Sequence, residues 1–400
     1  MALDYWHRYG TDTVGVELMI DFCKKHEEIY VYGCAETQQL LAKYLKAAQM
    51  PFKGFLVYTK EEADLKNGCY GCGVYTPDTI PVRTANIGVL VAVGEKYYND
   101  VVPLLIQNDL LEIFFVNELN RFAIAQKMRP AARDFFWFEV NIVEHCNLNC
   151  QMCDHFSPIA PREFVKLEEL ERQIRRMSEL MGGECRAIKL EGGEPLLHPQ
   201  INDIIRMVRS YFHKGIIYLY TNGMLLRQWE NHKNGNLWET CKECKVDISV
   251  TEYPINLDYK YLRKMAKEYG VNYNDVTSRD KNGVKYSFHH PFDLEGKQEP
   301  YHFINCFCFN NCITLKDGKM YPCSMMPNSH HFCAYYGKKL EISKEDYIDI
   351  FEVNSFEEIA EFISNRVPFC RYCNVKERKA YDWKQSTKNI DEWTTRGEGK

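Results

Sequence analysis

The sequence predicts an α/β chain in three parts: two successive series of parallel βαβ units, then a small cysteine-rich region. Two observations predict it. Short apolar runs alternate with segments of helical period, first over residues 28–118 and again over 135–295. Most of the 17 cysteines then fall in two clusters, one opening the second series and one beyond residue 296.

Bulk properties narrow the class. Four hundred residues, 45% of them hydrophobic, suffice for two or three separate cores. The net charge of −5 comes from interspersed acids and bases, so no nucleic acid and no anionic membrane is expected as a partner. The N-terminal MALDYWHRYG lacks the layout of a signal peptide. The longest apolar run, Ile87–Val93, is far short of the ~18 residues of a membrane span. The expectation is a cytoplasmic protein, in which so many cysteines bind metal or do chemistry rather than form disulfides. Its oligomeric state is left open.

Residues 1–118 read as a Rossmann-like domain. Ile29–Tyr32, Phe55–Tyr58, Ile87–Val93 and Ile113–Val116 are strand-like, Leu40, Leu41, Tyr44 and Leu45 recur at helical spacing, and a further helix is expected near 97–109. The first strand-to-helix turn, Tyr30-Val-Tyr-Gly33-Cys34-Ala35-Glu36-Thr37, keeps one glycine of G-x-G-x-x-G, with Ala35 and Gln38 at the other two positions. Close backbone approach to a pyrophosphate is therefore not expected. With Val91-Ala-Val-Gly94-Glu95, this segment resembles the small Rossmann-like domains attached to enzymes that modify nucleotide-linked sugars. A docking or dimerisation role stands beside that reading. A helical linker, 119–134, follows.

The second series, 135–295, supplies strands at Phe135–Val143, Ala187–Leu190, Ile216–Tyr220 and Val246–Val250. One helix between them puts Leu167, Leu170, Ile174, Met177 and Leu180 on a single face, and the next does so with Ile201, Ile204, Ile205, Val208 and Phe212. Such helices pack on the parallel sheet of a full or partial β/α barrel, whose active sites lie at the C-terminal ends of the strands.

At those ends the chemistry collects. The loop after the first strand reads Cys146-Asn-Leu-Asn-Cys150-Gln-Met-Cys153. Thiolates spaced C-x3-C-x2-C can hold three corners of a 4Fe–4S cube and leave one iron open. A zinc site completed by His145 or His155, or inert buried thiols, are the alternatives. The following strands end in Glu191-Gly192-Gly193-Glu194-Pro195, Thr221-Asn222-Gly223 and Ser249-Val-Thr251-Glu252-Tyr253-Pro254. Polar and glycine-rich groups thus recur at one end of successive strands, where glycine lets a ligand approach the backbone.

On these motifs, residues 136–290 resemble the radical S-adenosylmethionine (SAM) superfamily. The resemblance implies a partial (β/α)6 TIM-like barrel in which Cys146, Cys150 and Cys153 carry the catalytic cluster and SAM chelates its open iron. Gly192, Gly193 and Glu194 would line the methionine amino group, with Asn222 and Ser249 at contacts to ribose or carboxylate. Met152 stands where the family has an aromatic residue near adenine, and its thioether can pack on a ring face. No glycine-rich adenine motif is recognisable in Val271–Thr277. The implied reaction is reductive cleavage of SAM, driven by a flavodoxin- or ferredoxin-type electron donor, followed by hydrogen abstraction from a substrate C–H.

Residues 296–400 hold Cys306, Cys308, Cys312, Cys323, Cys370 and Cys373, and Thr314 to Cys323 reads as a hairpin turning at Asp317-Gly318. This layout resembles the twitch domain, the short relative of the SPASM domain. The resemblance implies a second 4Fe–4S cluster on Cys306, Cys323, Cys370 and Cys373; a four-thiolate zinc ribbon is the alternative. A cluster with four protein ligands suits electron acceptance and hence substrate oxidation. One of Cys308, Cys312 or Cys333 could instead donate a hydrogen atom and give epimerisation. Cys69 with Cys72, and Cys241 with Cys244, read as ordinary reduced thiols, and the tail after Trp393 as frayed.

Asp154-His-Phe-Ser-Pro158 and Gly192-Gly-Glu-Pro-Leu-Leu-His198-Pro199 further resemble radical SAM proteins of carbohydrate and capsule biosynthesis. The expected substrate is a small molecule of sugar, polyol or nucleotide-sugar type. A radical SAM peptide maturase and a non-catalytic iron–sulfur or zinc adaptor are the competing readings.

Overall fold

The structure, a computed structural model, describes residues 13–68, 71–81, 86–280, 282–309 and 311–395. Cys69, the N-terminal MALDYWHRYG and the end of the tail lie outside the described residues. The chain divides into two compact units, Met1–Arg129 with Glu299–Asn305, and Pro130–Gln298 with Cys306–Lys400.

In the first unit, β1 (Glu28–Tyr32), β2 (Phe52–Leu56), β3 (Gly73–Tyr75), β4 (Ile87–Val91) and β5 (Ile113–Phe115) form one parallel sheet in the order β3-β2-β1-β4-β5. That is the doubly wound order, with β1 and β4 almost wholly buried, as a sheet covered on both faces requires. The helices are α1 (Thr13–Lys24), α2 (Glu36–Ala47), α3 (Lys60–Lys66), α4 (Tyr98–Gln107) and α5 (Glu118–Met128). The three-residue β3 escaped the sequence reading because G-V-Y is too short to show a period. At the β1–α2 turn, Gly33 takes φ +98° and the Gln38 amide donates to the Ala92 carbonyl at 2.6 Å. The first turn of α2 carries Glu36, whose charge opposes an anion there.

The second unit is built on an eight-stranded sheet, in the order β10-β9-β8-β7-β6-β12-β13-β14. Its strands are β6 (Trp137–Val143), β7 (Glu184–Gly192), β8 (Lys214–Thr221), β9 (Val246–Val250), β10 (Tyr273–Asp275), β12 (Thr314–Lys316), β13 (Lys319–Tyr321) and β14 (Ile348–Asp349). The row from β10 to β6 is parallel, and β12 extends it on the far edge of β6, also parallel. Six parallel strands therefore stand side by side, the sixth supplied by the cysteine-rich region. The last strand before that region, β11 (Tyr286–His289), pairs antiparallel with β15 (Lys379–Asp382). The β12–β13 hairpin turns at Asp317 (φ +52°) and Gly318 (φ +73°), both left-handed as a two-residue turn demands.

Helices α6 (Leu167–Met181), α7 (Ile201–Tyr211), α8 (Leu237–Glu243) and α9 (Tyr259–Tyr269) alternate with these strands, and α10 (Met325–Tyr336) and α11 (Phe356–Ile363) follow the hairpin. Alternate strand residues divide the two faces. Phe138, Val140, Ile142, Ile188, Leu190, Ile217, Leu219, Ile248, Val250 and Leu315 join Leu170, Ile174, Ile204 and Val208 in one apolar core. Cys241 and Cys244 are buried in the same core, which suits reduced thiols. The opposite face is different. In register across it lie Thr314, Glu139, Lys189, Tyr218 and Asp247, and nearer the C-terminal ends Asn141 beside Glu191, and Tyr220 beside Ser249. Closed barrels usually fill their interior with Val, Ile and Leu; this inner face is polar in two consecutive layers. Among the described residues no helix is long and apolar enough to cross a membrane.

Candidate active site

The upper polar layer ends at the three-cysteine loop. Cys146, Cys150 and Cys153 are free and lie close enough for the charge of each to act on the others. Burial raises all three thiols above the usual range, that of Cys153 to about 12. Half-buried thiols within reach of one another's charge suit a metal cluster, which takes them as thiolates.

The loop is bent sharply to bring them together. Asn149, Met152 and Phe156 take positive φ of 56°, 54° and 55°, a conformation costly for side chains other than Asn, Asp and Gly. The C-terminal segment holds it there. Ser386 N–H donates to the Asn149 carbonyl at 2.8 Å, Gln151 N–H to the Lys384 carbonyl at 2.9 Å, and the Tyr381 hydroxyl to the Gln151 carbonyl at 2.9 Å. The indole of fully buried Trp393 donates to the Cys153 carbonyl at 3.0 Å. Thr394 Oγ1 donates to the Ile390 carbonyl at 3.2 Å and Thr395 N–H to the Phe292 carbonyl at 2.9 Å, so the first two residues of the tail expected to fray are held. Phe156 is fully buried and stacks on Phe292 at 5.7 Å between ring centres.

The GGE loop packs against the same turn. Gly193 N–H donates to the Val143 carbonyl at 2.7 Å and Glu194 N–H to the His145 carbonyl at 3.0 Å. A Cβ on Gly192 would overlap the Val143 carbonyl oxygen, and one on Gly193 the His145 carbonyl oxygen. The glycines are thus required by the cysteine loop itself, beyond any ligand. Glu194, buried, accepts from Thr221 Oγ1 at 2.6 Å, Asn222 N–H at 2.9 Å and Leu196 N–H at 3.1 Å, joining the ends of β7 and β8. Burial outweighs these bonds and lifts its carboxyl to about 7. Asn222 turns its amide to Cys146 Sγ at 3.7 Å and to Asn147 Oδ1 at 2.8 Å. Ser249 is buried on β9, and Met152 is half-buried between the last two cysteines.

Residues 140–273 match the profile of the radical SAM superfamily. The chain carries a radical SAM domain. Among curated relatives, a GTP 3′,8-cyclase of Microcystis aeruginosa is 30% identical over 94 residues, covering 22% of this chain and 28% of that protein. A probable GTP 3′,8-cyclase of Pyrococcus abyssi is 36% identical over 87 residues, covering 22% and 27%. The match thus spans under a third of either relative's length. Among solved structures, BtrN in complex with AdoMet and 2-DOIA is 16% identical with a TM-score of 0.38, covering 61% of this chain and 94% of that one. Streptococcus suis SuiB bound to the precursor peptide SuiA is 13% identical with a TM-score of 0.22, covering 44% and 50%.

Beyond the radical SAM domain, the C-terminal cysteines converge as well. The charges of Cys306, Cys323 and Cys370 act on Cys373, and that of Cys306 on Cys323 and Cys370. Four half-buried cysteines in reach of one another's charge are a donor set that fits a cluster with four protein ligands. His290 Nδ1 stands 3.8 Å from Cys306 Sγ, and ligand atoms of His290, Cys306 and Cys308 lie within 4.8 Å of one another. The free Cys308 thiol is within hydrogen-bonding reach of both Cys306 and Cys312, while Cys312 is near enough to Lys189 and Glu191 to act on them. Cys312 therefore lies between the cysteine cluster and the polar inner face. Asp154, the residue after Cys153, acts in turn on Cys308 and Cys373. Cys333 is half-buried in α10.

The inner-face groups escaped the sequence reading. Lys189 Nζ pairs with Glu139 at 2.7 Å, Lys316 Nζ with Glu144 at 2.8 Å, and His331 Nε2 with Glu144 at 2.6 Å. Asn328 Oδ1 accepts from Lys316 at 2.8 Å and from Asn141 at 3.1 Å. Glu144, His330 and His331 also place ligand atoms within 4.8 Å, but the Lys316 ammonium already occupies the Glu144 carboxylate and repels a second cation. A signal existed for these residues. Buried parallel strands normally run continuously apolar, whereas F-E-V-N-I-V, I-K-L-E and I-Y-L-Y alternate.

Proposed function

We propose that this chain is a radical SAM oxidoreductase that holds a sugar, polyol or nucleotide-linked sugar on the polar inner face of its sheet. The observation that carries this reading is the pair of polar layers running up to the three-cysteine loop. A 4Fe–4S cluster with SAM bound at that loop would supply the radical chemistry for abstracting a hydrogen atom from a substrate C–H. Cys146, Cys150 and Cys153 would hold the cluster, Asn222 donates toward the Cys146 sulfur, and the Gly192–Glu194 turn fixes the loop. Glu139, Asn141, Lys189 and Glu191 would orient the substrate, whose displacement by an ångström costs much of the rate.

Cys306, Cys323, Cys370 and Cys373 would hold an auxiliary cluster. In oxidation of a secondary alcohol, one hydrogen atom leaves carbon, one proton leaves the hydroxyl and one electron leaves for an acceptor, giving a ketone. The nearness of Cys312 to both the inner face and the C-terminal cysteines supports an acceptor on that side. The test is anaerobic turnover of reconstituted enzyme with candidate sugars and polyols, reading 5′-deoxyadenosine and product mass. Oxidation consumes one SAM per product two mass units lighter. A product isobaric with its substrate and carrying one solvent deuterium would replace oxidation with epimerisation.

A further inference from the structure

We propose that His290 poises the auxiliary cluster as an electron acceptor, by donating its Nδ1–H to the sulfur of Cys306. This rests on the reading of Cys306, Cys323, Cys370 and Cys373 as ligands of one cluster, and adds a residue that no cysteine spacing marks. His290 is buried, and its Nδ1 stands 3.8 Å from Cys306 Sγ, within reach of a bond to sulfur. While the thiol keeps its proton, either partner can donate. A cluster takes cysteine as the thiolate, which leaves the sulfur nothing to donate. The imidazole must then supply the proton.

The backbone fixes the ring in that position. β11 ends one residue earlier, at His289, and Pro291 disfavours a helical turn at residue 290. Just beyond, Asn374 N–H donates to the Pro291 carbonyl at 2.9 Å and Asp293 N–H to the Tyr372 carbonyl at 2.8 Å. Phe292 forms an antiparallel bridge with Cys373. The segment that carries His290 is thus tied to the turn that carries Cys370 and Cys373, so little conformational freedom is left to lose when the bond to Cys306 forms. Electrostatics gives the direction of the effect. Reduction adds one negative charge to a cluster, and a donor to a ligand sulfur stabilises the reduced form more than the oxidised one, which raises the potential. Cys308 is also within hydrogen-bonding reach of Cys306, but a thiol is the weaker donor. His290, Cys306 and Cys308 place ligand atoms within 4.8 Å of one another. The same ring could therefore bind iron instead, and the experiment separates the two roles.

The test is an anaerobic redox titration of the reconstituted chain, read by low-temperature electron paramagnetic resonance. The variant with Cys146, Cys150 and Cys153 all alanine isolates the auxiliary signal and serves as the parent. In it, His290→Phe keeps a ring of similar size without a donor and should make the cluster about ten times poorer as an acceptor. That is a fall of about 59 mV for one electron. His290→Leu is read in its place if the larger ring disturbs the fold. His290→Asn, whose side-chain amide sets an N–H close to the place of Nδ1, should recover most of the fall. Iron should stay at about four per chain in every variant, and melting temperatures establish that each is folded. Equal potentials in parent and His290→Phe, a fall that His290→Asn does not recover, or a larger fall in Cys308→Ala overturns the proposal. Loss of the four irons from folded His290 variants also overturns it, because the imidazole is then a ligand. A parent that loads no iron strikes instead at the auxiliary cluster beneath the proposal.

Discussion

Gly193 lies so close to His145 that a Cβ at residue 193 would overlap the carbonyl oxygen of residue 145. The GGE turn and the three-cysteine loop are therefore one packed object. Gly193→Val should push the loop aside, lowering stability by about 1–3 kcal/mol and lowering SAM affinity together with iron retention at Cys146, Cys150 and Cys153. Gly94, whose built Cβ meets nothing nearer than 3.9 Å, should accept alanine without such loss. Iron quantification with SAM titration decides, and full iron content in Gly193→Val would show that the loop yields without losing its ligands.

The two cysteine sets should load independently. About eight irons per chain are expected after reconstitution, about four when Cys146, Cys150 and Cys153 are all alanine, and about four when Cys323 and Cys370 are. SAM cleavage should vanish only in the first variant. Stoichiometric zinc in place of iron in anaerobically purified protein would remove the radical chemistry altogether.

Glu144 should set an acid limit. Burial alone would raise its carboxyl, but the bonds from His331 and Lys316 outweigh burial and hold it at about 2, against an ordinary 4.5. A depressed acid contributes stability that is complete above its unfolded pKa and lost as pH falls through its folded one. The loss should run from about pH 4.5 down to about 2. Lys316→Met removes the compensating cation, so it should cost about 3–5 kcal/mol at neutral pH and move acid unfolding to higher pH. Circular dichroism of the metal-free protein across that range measures both effects. Pairing it with Glu144→Gln should recover part of the loss.

Trp393 should matter to the cluster although it lies 240 residues from Cys153 in sequence. Trp393→Ala removes a fully buried indole and its bond to the Cys153 carbonyl, at about 3–5 kcal/mol. Trp393→Phe restores most of the packing and none of the bond. Faster iron loss to a chelator in both variants identifies the bond as the hold on the loop. Loss in the alanine variant alone identifies the packing.

Much of this was legible in the sequence because it is local. Cys146, Cys150 and Cys153 sit on one loop, so spacing alone told that their thiols could meet. Strand and helix periods placed β6 to β9, and Asp317-Gly318 placed the hairpin, since its two left-handed residues are a property of the dipeptide. The convergence of Cys306, Cys323, Cys370 and Cys373 was read from a family likeness, because loop lengths between distant cysteines do not fix where they meet.

Tertiary structure alone decided three further matters. It sent β12 to the free edge of β6 and so put Lys316 and His331 beside Glu144, pairs 172 and 187 residues apart. It drew the segment around Lys384 to Trp393 across the cysteine loop through backbone carbonyls, which carry no residue signature. It also turned the polar residues of β6, β7 and β8 inward on one face. Periodicity tells which residues share a face, but only the packing of helices on the other face says which one is buried in apolar contact. The polar face was left to the chemistry.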